Sequence, residues 1–312
     1  MKILSYRPFS AKSFYLLLAS LLITPVIHAN DRIQYNPQAK LQLTITEVEY
    51  RKTASGRSLM ARIYQPAGKG PFPTVIDLHG GAWNNKDRFA EQPMNRAIAE
   101  SGVLVIAIDL TSAKELPYPA NVLDANYGIR WVKHHAKQWR GDTSKIGLYG
   151  SSSGGHIAEL LGLRPNDLRY NSLVLHEAPQ INARVDYIMV RSPISNPYAR
   201  YQNALKLKRP HMITNNINYF RPMESIHEGN PQEILDRKES VELPPLLIMQ
   251  GDLDDNVLPI TQEQFIKSYK AAGGNGQLIV FKDSEHEWVA QESVQTNKAR
   301  QTVREFIARQ YQ

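Results

Sequence analysis

Residues 147–156 read Gly-Leu-Tyr-Gly-Ser-Ser-Ser-Gly-Gly-His, three consecutive serines held between glycines. The pattern G-x-S-x-G fits Ser152 alone, because only that serine has a glycine two residues away on each side, Gly150 and Gly154. The apolar run Lys145–Tyr149 before it reads as a strand, and the segment Gly154–Leu163 after it as a helix. A strand that turns at once into a helix forces its corner residue into a strained backbone conformation, which small neighbours tolerate best. The hydroxyl of that corner projects at the positive end of the helix, where a nucleophile attacking a carbonyl carbon is favoured.

Such attack builds negative charge on the carbonyl oxygen, which preorganised backbone N–H groups must meet. The run His79-Gly80-Gly81-Ala82-Trp83 ends the apolar stretch Thr74–Leu78, and its glycines let the chain turn amides inward. The expected donors are the amides of Gly81, Ala82 and Ser153. A serine also needs a base, and the base an orienting acid. Three carboxylates, Asp252, Asp254 and Asp255, follow the apolar run Leu246–Met249, and His286 follows the run Gln277–Phe281. The chain order Ser, Asp, His is the one used by sheets that carry a strand–Ser–helix corner.

Other reactive side chains fit less demanding roles. His156, at the start of the helix after the corner, reads as packing or capping rather than a second base. His134 and His135 are neighbours on a helix and point about 100° apart, so they make poor joint metal ligands. No His/carboxylate spacing resembles a zinc hydrolase, and neither metal nor cofactor is expected. Trp83 and Trp288 flank the glycine loop and His286, as pocket walls or as core. Asp124 is expected to support the helix beginning near Asn121.

These residues must be held by a frame. The segment from Leu41 to Ala67 alternates apolar and polar residues around Ala54-Ser55-Gly56, the mark of an antiparallel hairpin. Short apolar runs follow at Thr74–Leu78, Val103–Ile108, Ile146–Tyr149, Val185–Val190, Leu246–Met249 and Gln277–Phe281. Helical patterns lie between and after them, at Gln92–Glu100, Asn121–Gln138, His156–Leu163, Ile260–Ala271 and Val294–Gln312. This alternation predicts an α/β fold, a mostly parallel central sheet with helices on both faces. From about 192 to 243 no strand pattern appears, and the polar, aromatic, helix-prone stretch predicts a helical insertion, either a lid or a peripheral decoration.

On these motifs the sequence resembles the α/β-hydrolase superfamily, in particular its carboxylesterases with an HGG-type oxyanion loop. "GDLDDNVLP" and "SEHEW" are also similar to the ends of catalytic domains in prolyl oligopeptidase-like serine hydrolases. The likeness runs from about Leu41 to the C-terminus apart from the insertion. It implies hydrolysis of a small-molecule carboxylic ester through an acyl-enzyme, with Ser152 as nucleophile, His286 as base and Asp254, the first of the paired aspartates, as the acid. Ala82 stands where many such esterases have a third glycine. The alternatives are a short-peptide peptidase of the same superfamily and a catalytically silent binding protein on the same fold.

Composition frames this reading. The chain has 312 residues, 42% hydrophobic and 21% charged, as in folded globular proteins. Residues 1–29 carry Lys2, Arg7 and Lys12, then an apolar run Phe14–Ile27 and a small-residue site ending at Ala29. That order predicts an export signal, with a mature domain at 30–312 in the periplasm or secreted; the run falls short of the roughly 20 residues of a membrane span. An uncleaved anchor is the alternative. The three cations of this segment account for three of the seven net positive charges, leaving +4. No long Lys/Arg block remains to bind nucleic acid, and after cleavage no stable membrane association is expected. There is no cysteine, hence no disulfide and no thiolate site.

Overall fold

The frame is built from strands whose two faces are both apolar. In the computed structural model, which describes Met1, Leu4, Ile33 and residues 35–312, β3 (Phe72–Leu78), β4 (Leu104–Ile108), β6 (Tyr187–Arg191) and β7 (Leu246–Gly251) are buried along their whole length. The hairpin strands β1 (Leu43–Lys52) and β2 (Ser58–Pro66), with β5 (Gly141–Ser151) and β8 (Gly276–Phe281), complete one sheet in the order β1-β2-β4-β3-β5-β6-β7-β8. The pairs β1/β2 and β2/β4 are antiparallel, and every other pair is parallel. Edge strands β1 and β8 keep exposed positions, as strands covered on one side do.

Strand periodicity divides the apolar side chains between two cores. Ile76, Ile106, Leu148, Val190 and Ile248 enter one, while their neighbours Val75, Val105, Tyr149, Met189 and Met249 enter the other. The first core is closed by α2 (Ala120–His135), α3 (Ser153–Leu163) and α8 (Pro259–Ala271) through Ile129, Leu160 and Phe265. The second is closed by α1 (Gln92–Glu100) and α9 (Val294–Gln310) through Ile98, Val303 and Ile307. A one-residue slip of any central strand would exchange these two sets.

The stretch after β6 is helical, as its composition predicts. It contains α4 (Pro197–Lys206), α5 (Pro210–Tyr219), α6 (Ser225–Glu228) and α7 (Pro231–Asp236). Proline opens α4, α5 and α7, where its missing N–H costs nothing, and Asn196 and Asn230 cap α4 and α7 through their side chains. The helix expected over Asn121–Gln138 ends at His135 and continues as a 3-10 turn, Ala136–Trp139. The export signal expected at residues 1–29 lies outside the described residues, save for Met1 and Leu4.

Candidate active site

Four loops leave the C-terminal ends of parallel strands and converge. They carry Gly81 and Ala82 after β3, Ser152 after β5, Asp254 after β7 and His286 after β8. Open α/β sheets place their sites at this edge.

The corner at Ser152 has φ 50° and ψ −113°, a strained conformation for a residue with a side chain. A Cβ on Gly154 would lie 1.9 Å from the Leu78 carbonyl oxygen, so the helix can start this close to β3 only with glycine there. The three serines separate cleanly by partner. Ser151 Oγ donates to Glu91 Oε1 at 2.8 Å, and Ser153 Oγ accepts the Trp83 amide at 3.1 Å. Ser152 Oγ lies 2.9 Å from His286 Nε2, and His286 Nδ1 lies 2.8 Å from Asp254 Oδ2.

Of the three candidate carboxylates only Asp254 reaches the imidazole. Its Oδ1 accepts the amides of Asn256 at 3.0 Å and Val257 at 2.8 Å, and Gln250 Nε2 donates to its Oδ2 at 3.0 Å. Burial works to raise its pKa, but the hydrogen bond and charge of His286, with the Val257 amide, outweigh it and hold the carboxyl below its ordinary value. Asp255 turns outward to pair with Arg209 at 2.5 Å, and Asp252 accepts the Ser284 amide at 3.2 Å.

The glycine loop runs through left-handed backbone at Gly81 (φ 99°), Ala82 (φ 50°) and Trp83 (φ 62°). At Gly81 a Cβ would fall 1.9 Å from the Asn85 carbonyl oxygen. The Trp83 amide is taken by Ser153 Oγ, which pins the loop to the corner. The amides of Gly81, Ala82 and Ser153 donate to no acceptor among the described residues. They are free to meet an oxyanion.

Sequence reading missed a support under His286. Arg191, the last residue of β6, donates from Nη1 to the His286 carbonyl at 2.6 Å and from Nη2 to Glu91 Oε1 at 3.0 Å. Both charged side chains are 4% exposed. Beside them the buried Asp77 is pushed up to about 8 by burial and by the Glu91 carboxylate, with Asn95 Nδ2 donating to it at 2.6 Å.

The remaining side chains singled out in the sequence have structural partners. Trp83 is core, stacked on Tyr219 of α5 with ring centroids 4.4 Å apart. Its Nε1 donates to His156 Nδ1 at 3.2 Å, and His156 Nε2 donates to the Gly229 carbonyl at 2.7 Å. Burial lowers His156 to about 4, so it is a neutral strut between the glycine loop and the insertion. Trp288 stacks on Phe281 at 4.4 Å. Asp124 does not support the start of its own helix; it accepts the Thr111 amide at 2.7 Å and pairs with Arg51 of β1. His135 reaches Glu177 at 3.3 Å, and no group of three or more metal-ligating side chains occurs among the described residues.

A cleft of about 220 Å3 opens over the corner, lined by Gly81, Ser152 and His286 together with Lys86, Arg200 and Asn256. Arg200 lies on α4, so the insertion reaches the site.

Residues 62–269 match the family model described as BD-FAE. Among curated proteins the chain is similar to the probable carboxylic ester hydrolase LipM of Mycobacterium tuberculosis, 25% identical over 62% of this chain and 43% of that protein. It is also similar to the carboxylesterase NlhH of the same species, 33% identical over 34% of each chain. The match thus spans less than half the length of these curated relatives. Among solved structures, a propionate-bound thermophilic esterase of Thermogutta terrifontis superposes with a TM-score of 0.67 at 21% identity, over 86% of this chain and 94% of that one, a likeness of α/β-hydrolase fold.

Proposed function

The chain belongs to the BD-FAE family, and on that premise we propose that it hydrolyses carboxylic esters through Ser152, His286 and Asp254. The reading rests on one observation, the continuous hydrogen-bonded path from Asp254 through His286 to Ser152 at 2.8 and 2.9 Å. The esterase names of its relatives support the reaction class.

Ser152 Oγ attacks the ester carbonyl carbon while His286 Nε2 takes the hydroxyl proton. The carbonyl electron pair moves onto oxygen, where the amides of Gly81, Ala82 and Ser153 receive it. As that pair returns, the C–O bond to the alcohol breaks and His286 gives its proton to the departing oxygen. Water then attacks the acyl-enzyme by the same path in reverse roles, releasing the carboxylic acid and restoring Ser152. Asp254 keeps the imidazole in the tautomer with Nδ1–H and stabilises imidazolium.

The test is hydrolysis of 4-nitrophenyl esters of increasing acyl length beside an aminoacyl amide, with a fluorophosphonate probe in parallel. Ester turnover above amide turnover, with one probe per chain, is the expected result. Faster amide cleavage would make it a peptidase, and absence of both labelling and turnover a silent binding fold. The basic and apolar order of residues 1–29 supports export of the protein with loss of that segment. Mass spectrometry of protein from its native host is expected to give a chain beginning at Asn30; an intact Met1 would mark an anchor.

A further inference from the structure

Arg200 is a buried cation whose charge the protein leaves open. The side chain is 5% exposed, and no carboxylate among the described residues lies within ion-pair distance of it. Nε and Nη2 both donate to Asn256 Oδ1, at 2.9 and 2.8 Å. This grip fixes the plane of the guanidinium and leaves Nη1 buried with no acceptor among the described residues. The nearest acid that acts on it, Asp254, is committed to His286 and to the amides of Asn256 and Val257. On another side the Trp83 ring centroid lies 5.8 Å from the guanidinium carbon. Burial lowers Arg200 to about 10, which still leaves it charged at neutral pH.

The other cations of the cleft are engaged. Lys86 pairs with Glu287 at 2.8 Å, and Arg191 is held between Glu91 and the His286 carbonyl. A buried cation with an empty donor is costly unless an anion completes it. Arg200 lines the cleft that holds Ser152 and His286, and its unpartnered Nη1 lies buried at that wall.

We propose that Arg200 recognises a carboxylate on the substrate, so that the preferred ester carries a free carboxylate within a few atoms of the scissile bond. A planar fork held by one side chain, with a donor left over, suits a carboxylate better than a lone hydroxyl, which would leave the charge uncompensated. This rests on the ester-hydrolase reading of Ser152, which the experiment tests separately.

Two matched pairs probe the two sides of the ester. On the acyl side 4-nitrophenyl hemiglutarate is compared with 4-nitrophenyl methyl glutarate. On the alcohol side 4-(carboxymethyl)phenyl acetate is compared with 4-(carbamoylmethyl)phenyl acetate. In one pair the carboxylate member is expected to have a kcat/KM at least about tenfold higher, chiefly through KM, the scale of one hydrogen bond to a charged group. Arg200→Met is expected to remove that ratio, and Arg200→Lys to keep part of it, with thermal melts reporting folding. Equal or better turnover of the neutral member in both pairs of the wild-type protein overturns the proposal, whatever the variants do. So does a ratio that survives in folded Arg200→Met. No turnover in either pair, together with no fluorophosphonate labelling, overturns the ester-hydrolase reading and this inference with it.

Discussion

His286 Nε2 stands 2.9 Å from Ser152 Oγ across 134 residues of sequence. Neither flanking serine has that contact, since Ser151 is spent on Glu91 and Ser153 on the Trp83 amide. Ser152→Ala is expected to lower kcat for 4-nitrophenyl butyrate by about five to six orders of magnitude. It should also abolish fluorophosphonate labelling, read by intact mass. Ser151→Ala and Ser153→Ala should both still label, with turnover within roughly tenfold, a change of about 1.4 kcal/mol. Full labelling of Ser152→Ala would end the assignment.

The two adjacent aspartates make the second comparison. Asp254 is 2% exposed and faces His286, whereas Asp255 faces Arg209 at the surface. Asp254→Asn should reduce kcat by about three to four orders of magnitude, through the wrong imidazole tautomer. Asp255→Asn loses a surface ion pair worth about 0–1 kcal/mol and should keep its turnover within roughly tenfold. Steady-state hydrolysis with thermal melts checks both, and a dead Asp255→Asn would show that the acid is its neighbour.

Arg191 separates stability from positioning. Arg191→Met leaves Glu91 buried without its cation, a loss of about 3–5 kcal/mol. The double variant Arg191→Met/Glu91→Met removes both charges and should regain most of that stability in urea unfolding. The His286 carbonyl stays unanchored in both variants, so kcat should remain at least about tenfold low, as small misplacements of catalytic groups cost. A double variant that recovers kcat together with stability would make the pair purely structural.

Asp77 gives the pH dependence. Its folded pKa of about 8 stands above the ordinary 3.8, so between those values the folded protein holds a proton that the unfolded chain has released. Stability from this group is therefore full below about pH 4 and is lost as pH rises towards 8, by about 1.4 kcal/mol per unit. Asp77→Asn carries no such proton. Its Tm relative to wild type should rise steadily from pH 5 to pH 8, in differential scanning fluorimetry across buffers of equal ionic strength. A constant difference would place the folded pKa of Asp77 below about 5.

The sequence was most legible where one residue's neighbours along the chain decide its state. Short continuous apolar runs marked the buried strands, and G-x-S-x-G singled out Ser152, because corner geometry is local. Asp254 needed more, since the order of elements allowed Asp252, Asp254 and Asp255 alike and only the family likeness chose among them. Arg191 and Arg200 were invisible. Arg191 reads as the polar end of a strand, and its partners Glu91 and His286 lie 100 and 95 residues away. Arg200 sits in a polar helical stretch, where charge ordinarily signals solvent, yet in the fold it is buried, bonded to Asn256 and beside Trp83. Partnerships made by tertiary closure leave no mark on spacing.

The insertion is stitched into the glycine loop: Tyr219 lies flat on Trp83, and the Gly229 carbonyl holds His156, which holds Trp83 in turn. It therefore behaves as a buttress as much as a cover, and the protein is not modular at this point. Exchanging residues 192–243 for the corresponding segment of a related chain is expected to change the cleft wall that Arg200 of α4 supplies and, in the same act, disturb the loop that carries Gly81 and Ala82. The cleft wall and the glycine loop are therefore coupled, to be altered one contact at a time rather than by transplant.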